Sequence, residues 1–326
     1  MSGATRRIEL VTAAIVGGAI AAYAGSRWQR GLSPLRADLG RRRELPEAPG
    51  TSRLSVIVPA FGEVERIGST VRALREGLSE FAPGNELEIV VVDDGSPDDT
   101  ARVARDAGAD IVVRHQINRG KGSAVRSGVL VANGRTIVFT DADLSYSPDQ
   151  IPALVELVEM GWDVVVGSRR HTDTTTLVRA RRVREIGGRA INLLTRAVLL
   201  GHYRDTQCGL KGFRSDVARL IFSHTRVDGF AFDVEVFHLI ERYHLSLTEV
   251  PVRIENSSRS TVRVARDAVR LIRDLFLVRR WSVEGRYDLT ADDLLVGAGV
   301  IDVTSSDAVA AAGIDVTTPE GDRPLN

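Results

Sequence analysis

Asp141 and Asp143 are two carboxylates that lie one residue apart, directly after the apolar run 136–140. Carboxylate oxygens are ligands that Mg²⁺ and Mn²⁺ prefer, and these ions usually share them with substrate phosphates. A divalent cation at this point would neutralise the charge that develops on a departing nucleoside diphosphate. The pair therefore predicts a metal site with Asp141 and Asp143 as its ligands.

Two further polar clusters follow predicted strands. Pro59, Phe61 and Glu63 lie after the first strand, and Asp93 and Asp94 come after the second. Each cluster by itself is ordinary turn chemistry. In open α/β sheets, however, ligands bind beyond the carboxyl ends of the strands. Because all three clusters converge on one edge, the sequence favours a single binding site over three unrelated turns.

A basic loop, Arg-Gly-Lys-Gly-Ser at 119–123, directly precedes a predicted helix. Its glycines allow the backbone to approach an anion, and a helix N-terminus favours negative charge. The loop lacks the spacing of a Walker phosphate-binding loop. It is interpreted as an anion-binding loop that contains Lys121, and the alternative is a solvated basic turn.

The elements that must position these residues alternate along the chain. Short apolar runs predict strands at 55–58, 88–92, 111–113, 136–140 and 163–166. Helical spacing covers 66–80, 100–107 and 123–131, and Ser147 followed by Pro148 is a typical helix start with a Ser cap. This order predicts an α/β fold, a doubly wound and mostly parallel sheet with helices on both faces.

The composition of the 326 residues excludes some classes of protein. Lys plus Arg and Asp plus Glu both number 43, a balance that argues against a nucleic-acid partner. Cys208 is the only cysteine, so no intrachain disulfide forms, which fits a reducing compartment. The charges are segregated, with six arginines in residues 27–43 and nine acids from residue 284 onward.

Several of these motifs, taken together, resemble one enzyme family. They are residues 55–59 (SVIVP), 92–96 (VDDGS), 119–122 (RGKG), 141–144 (DADL) and 167–169 (GSR). The set resembles the GT-A domain of family-2 glycosyltransferases, in the dolichyl-phosphate β-glucosyltransferase and polyprenyl-phosphate mannosyltransferase branch. Residues 205–213 (DTQCGLKGF), 232–235 (FDVE) and 249–252 (EVPV) point to the glucosyltransferase side. The resemblance covers about residues 53–262, and Phe61-Gly62 departs from the family's usual Tyr-Asn.

The resemblance implies roles on the donor side and the acceptor side. A nucleotide-sugar donor would be bound by Pro59, Glu63, Asp93, Asp94, Lys121, Asp141 and Arg259. The acceptor phosphate would meet Arg169 and the cluster 179–184, in particular Arg182 and Arg184; a solvated charge run is the alternative for the cluster. Asp143, Arg169 and Asp233 would be the catalytic residues, with Asp233 near the transferred sugar or supporting its loop.

The implied reaction is the inverting transfer of one hexose to a polyprenyl or dolichyl phosphate, with Mg²⁺ or Mn²⁺ as cofactor. UDP-glucose is the preferred donor, and GDP-mannose and UDP-N-acetylhexosamines stay open. A sugar-phosphate nucleotidylyltransferase would have a Gly-rich loop after the first strand, which residues 59–62 are not. A processive synthase would have several membrane spans. An inactive sugar-nucleotide-binding membrane protein remains as a non-enzymatic alternative.

Two segments predict contact with a membrane. Residues 10–24 are uncharged and mostly apolar, and three interpretations compete: an anchor over residues 1–26, a signal peptide ending at an A-x-A site, or a buried helix. The anchor is favoured because nucleotide-sugars are made in the cytoplasm and the basic linker 27–52 would lie on that side. We therefore predict a single-pass protein of the cell membrane with a cytoplasmic catalytic domain at 53–260.

The second segment is a basic amphipathic helix at 261–283. Its arginines recur with helical spacing at 259, 263, 266, 270 and 273, and Ala265, Val269, Ile272 and Phe276 form another stripe. Such a helix fits an anionic membrane surface. The alternative is a helix packed on the domain with its arginines in solvent. The acidic remainder, 284–326, is predicted to be a disordered tail.

Overall fold

The computed structural model describes residues 47–169, 175–176, 207–254, 264–290, 293 and 315–317. Three predictions lie outside these residues: the anchor at 1–26, the arginine cluster at 179–184, and Arg259. Most of the basic linker and of the acidic tail also lies outside them.

The first half of the described chain alternates strands and helices, as predicted. The elements are β1 (Ser52–Ala60), α1 (Ile67–Leu78), β2 (Leu87–Asp93), α2 (Thr100–Asp106), β3 (Ile111–Arg114), α3 (Lys121–Val131), β4 (Gly134–Phe139), α4 (Ile151–Glu159) and β5 (Val164–Ser168). Each predicted strand and helix in this half is confirmed, with boundaries that move by up to three residues.

The second half continues with more helix and shorter strands. Its described elements are β6 (Thr175–Thr176), β7 (Lys211–Arg214), α5 (Ser215–His224), α6 (Phe232–Arg242), β8 (Leu247–Pro251), β9 (Arg253–Ile254), α7 (Val264–Val283) and β10 (Asp315–Thr317). β6 and β9 pair in parallel as a small separate ribbon.

The other strands form one sheet in the order β10-β3-β2-β1-β4-β7-β5-β8. The pairs β1–β2, β1–β4, β2–β3 and β5–β8 are parallel, and β7 runs antiparallel between β4 and β5. The chain builds outward from β1 to β3 and then crosses back to β4 on the other side of β1. This reversal is a topological switch point, where α/β sheets open a crevice at the carboxyl ends of their strands.

β1 runs through Pro59, although proline lacks the N–H that a central strand needs. Its pairing with β4 ends at Ile57, whose carbonyl accepts a hydrogen bond from Thr140 N. Pairing with β2 continues to Ala60, whose carbonyl accepts from Asp94 N. In a parallel strand, the backbone groups of successive residues point to opposite neighbouring strands. Pro59, two residues after Ile57, therefore points toward β4, where the pairing has already ended. The proline therefore removes no hydrogen bond and helps to open the crevice between β1 and β4.

Helices bury one face against each side of the sheet. On α1 the buried face includes Ile67, Val71, Leu74 and Leu78, the residues that define its helical spacing in the sequence. The opposite core joins β4, β7, α5 and α6 through stacked, tilted and edge-on contacts among the rings of Phe139, Phe213, Phe222 and Phe232. The two cores hold the sheet rigid and leave its carboxyl edge to the connecting loops.

Three local predictions are corrected by the structure. Ser147 makes no side-chain cap; a single 3₁₀ turn, Pro148–Gln150, precedes α4 instead. On α7, Leu275 and Val278 are buried whereas Phe276 is 45% exposed, so Phe276, the stripe residue whose side chain the structure describes, does not lie on the packed face. The predicted boundary at 284 does not coincide with the end of the packed chain, because Tyr287 is fully buried.

The described side chains of α7 show that this helix packs on the domain through Leu275 and Val278. Arg270, Arg273 and Arg280 on this helix are exposed, which agrees with the alternative of arginines in solvent. Within the ranges given above, the structure contains no helix that is both long and apolar enough to cross a membrane.

Candidate active site

Asp141 lies at the switch point, two residues after β4 ends, and its carboxylate meets the basic loop. Lys121 Nζ donates to Asp141 Oδ1 at 2.5 Å, with the two side chains 19% and 33% exposed. Burial by itself lowers the pKa of Lys121, but the negative charges of Asp141, Asp233 and Asp143 outweigh it and the pKa is raised. The structure thus brings together two of the predicted donor residues as a charged pair.

Asp143 lies beside the same pair and faces the loop after β1. Its Oδ1 accepts from Ser145 N at 3.0 Å and from Ser145 Oγ at 2.8 Å, which fixes the orientation of the carboxylate. Burial raises the pKa of Glu63, Arg66 opposes that rise, and the charge of Asp143 adds to it. Glu63 and Asp143 therefore lie close enough to repel each other, as expected of acids that line one crevice.

A buried lysine, Lys211, supports the backbone next to Asp141. Lys211, the first residue of β7, is fully buried, and its Nζ donates to Asp233 Oδ1 and to the carbonyl of Cys208, both at 2.6 Å. The ring of Phe139 lies 5.2 Å from this ammonium group. The Cys208 carbonyl bond fixes the segment before β7, where Gly209 packs directly on Asp141: a Cβ at 209 would overlap Oδ2. Asp141 is thus held between Lys121 and the Gly209 backbone.

Asp94 fixes the backbone of the basic loop through hydrogen bonds. Its Oδ1 accepts from Arg119 N at 2.9 Å and its Oδ2 from Gly120 N at 2.7 Å. Oδ1 also lies 2.7 Å from Nδ1 of the buried His115, whose Nε2 lies 2.9 Å from Ser127 Oγ on α3. This buried chain of polar groups fixes the two residues that directly precede Lys121.

Asp93 is likewise engaged inside the protein. It is fully buried, Oδ1 accepts from Ser96 N at 2.9 Å, and Oδ2 lies 3.4 Å from Arg114 Nε. The structure brings Asp93 and Asp94 to the predicted edge but directs both carboxylates into the loops. Their contact with a nucleoside stays a prediction, and Pro59, half-buried in β1, lies at the same edge.

The glycines of the basic loop allow a close approach to the protein's own backbone, in addition to the predicted approach to an anion. Gly122 N and Ser123 N, in the first turn of α3, both donate to the carbonyl of Asp228, at 2.7 and 3.2 Å. A Cβ at Gly120 would overlap the same carbonyl oxygen, and Gly120 has a positive φ of 113°. These two helix donors therefore bind the protein's own backbone, and Lys121 is the part of the loop that reaches the site.

Arg169, predicted to meet the acceptor, follows β5 at the same edge of the sheet and is exposed. Arg169 lies close enough to the buried hydroxyl of Tyr146 to affect the pKa of that group. The pKa of Tyr146 is raised mainly by burial, with Cys208 and Asp141 adding to the rise and the charge of Arg169 opposing it. Arg169 and Asp141 thus act on one hydroxyl, so the predicted acceptor and metal residues share one neighbourhood.

Sequence reasoning missed three residues of this framework. His115, Ser127 and the buried role of Lys211 were not predicted. A signal existed for Lys211, since it is a single cation in an otherwise apolar run that enters a strand. Isolated polar residues such as His115 and Ser127 give no comparable signal, because only the fold brings them together.

The residues present fit a hard divalent cation. No group of three or more Asp, Glu, His or Cys side chains gathers as a metal site in the described part of the chain. Mg²⁺ is usually bound by one or two carboxylates together with substrate phosphates and water, so a full protein cage is not required. Asp141 and Asp143 on one partly exposed loop supply that donor set.

Comparison with solved structures defines the fold. Glucosyl-3-phosphoglycerate synthase from Mycobacterium tuberculosis, crystallised with Mn²⁺, uridine diphosphate and glucosyl-3-phosphoglycerate, has a TM-score of 0.52 at 21% sequence identity. The match covers 77% of this chain and 81% of that chain. The fold is therefore the mostly parallel α/β sheet of GT-A type, as the sequence predicted.

The family follows from sequence comparison. The glycosyl transferase family 2 model matches residues 55–222. Dolichyl-phosphate beta-glucosyltransferase from Drosophila melanogaster is 35% identical, over 69% of this chain and 74% of that protein. The Homo sapiens protein of the same name is 30% identical, over 75% and 83%. The chain is a glycosyltransferase and belongs to glycosyl transferase family 2.

Proposed function

We propose that the chain transfers one hexose, glucose from UDP-glucose, to a polyprenyl or dolichyl phosphate, with inversion and with a divalent metal. The observation that carries this proposal is the Asp141 carboxylate, held between Lys121 and Gly209 at the switch point with Arg169 nearby. The names of the relatives support the sugar and the lipid phosphate, and the UDP-bound neighbour supports the nucleotide.

On the donor side, Asp141 and Asp143 would hold Mg²⁺ or Mn²⁺ together with the diphosphate. A metal in this position neutralises the charge that grows on the leaving nucleoside diphosphate. Lys121 adds a second cation on a side chain long enough to follow the phosphate oxygens. Pro59, near the end of β1, and Glu63, in the loop after it, would line the nucleoside side of the crevice, and Arg259 would close over it.

On the acceptor side, the chemistry needs little from a general base. A phosphate monoester has its second pKa near about 6, so at neutral pH it is largely dianionic and already nucleophilic. Arg169, with Arg182 and Arg184 from the cluster, would orient that phosphate, since guanidinium groups bind phosphate in two-point geometry. Orientation and charge stabilisation are then the main contributions of the protein.

We infer a supporting role for Asp233. It is 6% exposed, and its Oδ1 accepts the hydrogen bond from Lys211. Its charge also raises the pKa of Lys121, which supports a position next to the proposed donor site. Asp233 would therefore act as a positioning residue that stabilises the two lysines, rather than as a group that touches the sugar.

We place the reaction at the cytoplasmic face of the membrane. Nucleotide-sugars are made there, and the arginines of the basic linker would face that side. The segment 1–26 would anchor the chain, and α7 would lie near the lipid surface through its exposed arginines, which anionic lipids attract.

One assay tests the function. Membranes that contain the protein are incubated with polyprenyl phosphate and labelled UDP-glucose, GDP-mannose or UDP-N-acetylglucosamine, and the lipids are extracted. Label from UDP-glucose in an acid-labile lipid phosphodiester is expected. Label from another donor would show that the assigned sugar is wrong. Equal transfer to a soluble phosphate ester would refute the assignment of a lipid acceptor.

A further inference from the structure

The inference starts from the two oxygens of Asp141, a predicted metal ligand. Oδ1 accepts the hydrogen bond from Lys121 at 2.5 Å, and Oδ2 lies so close to Gly209 that no side chain fits there. Gly209 is fixed in turn, since the carbonyl before it accepts from the buried Lys211. The protein itself therefore contacts both oxygens, and only the contact with Lys121 is made by a flexible side chain.

The base of Lys121 is rigid while its tip is not. Gly120 N and Arg119 N donate to Asp94, and the donors after Lys121 bind the Asp228 carbonyl. The backbone at 121 is thus fixed from both sides. Four methylene groups separate it from the ammonium group, which can swing away from Asp141 without disturbing the loop.

We propose that Lys121 is an exchangeable counter-ion that occupies the metal ligand Asp141 until the donor arrives, so that metal and diphosphate bind as a coupled pair. This inference rests on the proposed function. A metal that enters alone must displace the Lys121 ammonium group from Asp141 and leave it close to a second cation. A metal that enters with a diphosphate brings Lys121 a new anionic partner, which compensates for the lost one.

The coupling has a measurable form. If the diphosphate helps to draw Lys121 off Asp141, UDP must tighten Mn²⁺ binding, and by reciprocity Mn²⁺ must tighten UDP binding by the same factor. Removal of the ammonium group leaves Asp141 open to the metal. The metal alone then binds better, while UDP loses a cationic contact.

The experiment measures free Mn²⁺ by electron paramagnetic resonance during titration of the purified full-length protein, with and without UDP. For the wild type, UDP is expected to tighten Mn²⁺ binding. For Lys121→Met, Mn²⁺ alone is expected to bind about tenfold tighter than to the wild type. This factor corresponds to the lower end of the free energy that a charge-assisted hydrogen bond contributes. UDP is expected to bind more weakly to this variant. Lys121→Gln is expected to lie between them.

Arg126→Met is the matched control. Arg126 lies on the same helix and pairs with Asp228 at the same 2.5 Å, so the variant makes the same change in net charge away from Asp141. It is expected to bind Mn²⁺ as the wild type does. If folded Lys121→Met and Lys121→Gln bind Mn²⁺ alone no tighter than the wild type, the inference is overturned. If the wild type binds no Mn²⁺ even with UDP, the proposed metal itself is wrong.

Discussion

At the scale of single residues, the site consists of charges that hold one another in place. Lys121 stabilises Asp141, Ser145 orients Asp143, and Asp94 fixes the loop that carries Lys121. Each contact constrains a group that the proposed reaction needs at a defined position. Small changes of charge that preserve shape should therefore affect transfer more than stability.

Asp141→Asn and Asp143→Asn test the metal ligands. Each substitution replaces a negative oxygen with a neutral amide of the same shape, and we expect transfer to fall by about 100-fold or more. EDTA should abolish wild-type transfer, and added Mg²⁺ or Mn²⁺ should restore it. The measurement is the initial rate of lipid labelling. Full activity in EDTA would rule out the metal.

Arg169 tests the acceptor side. Arg169→Ala should raise the KM for polyprenyl phosphate, since a charge-assisted bond to phosphate contributes about 1.5–3 kcal/mol, whereas the KM for the donor should change little. Arg169→Lys should recover only part of the loss, because an ammonium group lacks the planar fork. Arg102→Ala removes an exposed arginine that pairs with Asp99 and serves as the control. Unchanged acceptor kinetics in Arg169→Ala would contradict the assignment.

At the scale of elements, α6 connects the site to the C-terminal segment. Asp233 pairs with Lys211 of β7, while Glu235 accepts from Arg226 N, Val227 N and the hydroxyl of Tyr287. Glu235 thus binds both the segment that caps α3 and the residue that follows α7. The C-terminal helix is therefore connected to the active-site loop through one buried carboxylate.

Tyr287→Phe tests that connection. Its hydroxyl donates to Glu235 Oε1 at 2.6 Å, and we expect its loss to lower the free energy of unfolding by about 1.5–3 kcal/mol. Tyr243→Phe is the control, because that hydroxyl donates to a neutral carbonyl at 3.1 Å and should contribute about 1 kcal/mol. Denaturant unfolding monitored by circular dichroism measures both. Equal stability of Tyr287→Phe and wild type would show that the C-terminal segment is not held by this bond.

At the scale of the whole molecule, the stability should depend on acidity through His238. Burial lowers its pKa to about 4, with the charges of Arg242 and Arg279 acting in the same direction. Its Nε2 is buried without a hydrogen-bond partner, and the ring lies against Tyr287. The neutral form is therefore the one that the folded protein accommodates.

The sign of the effect follows from proton binding. The unfolded histidine binds protons below its ordinary pKa of 6.5, and the folded one only below about 4. Stability is thus intact above 6.5 and falls through the window down to about 4, by about 1.4 kcal/mol per pH unit from this group. His238→Phe should remove that part of the slope in unfolding measurements across pH. An unchanged slope would exclude His238 as its source.

The sequence by itself determined the order of elements and the mostly parallel sheet, and it predicted the edge on which the site lies. These depend on local patterns: apolar runs, helical spacing, and polar clusters directly after strands. It also predicted Asp141, Asp143, Lys121 and Arg169 as site residues through motifs that are specific as a set.

The tertiary structure decided how those residues are used. Asp93 and Asp94 are predicted from the sequence to bind the nucleoside, and the structure adds a role inside the protein: Asp94 accepts from Arg119 N and Gly120 N, and Asp93 accepts from Ser96 N. Lys211 and His115 come from distant parts of the chain, and no local pattern predicts that they support the site. The packed side of α7 was also undetermined, because an amphipathic helix has the same spacing on a domain as on a membrane. Spacing shows only that a helix has an apolar face, and the fold decides what covers it.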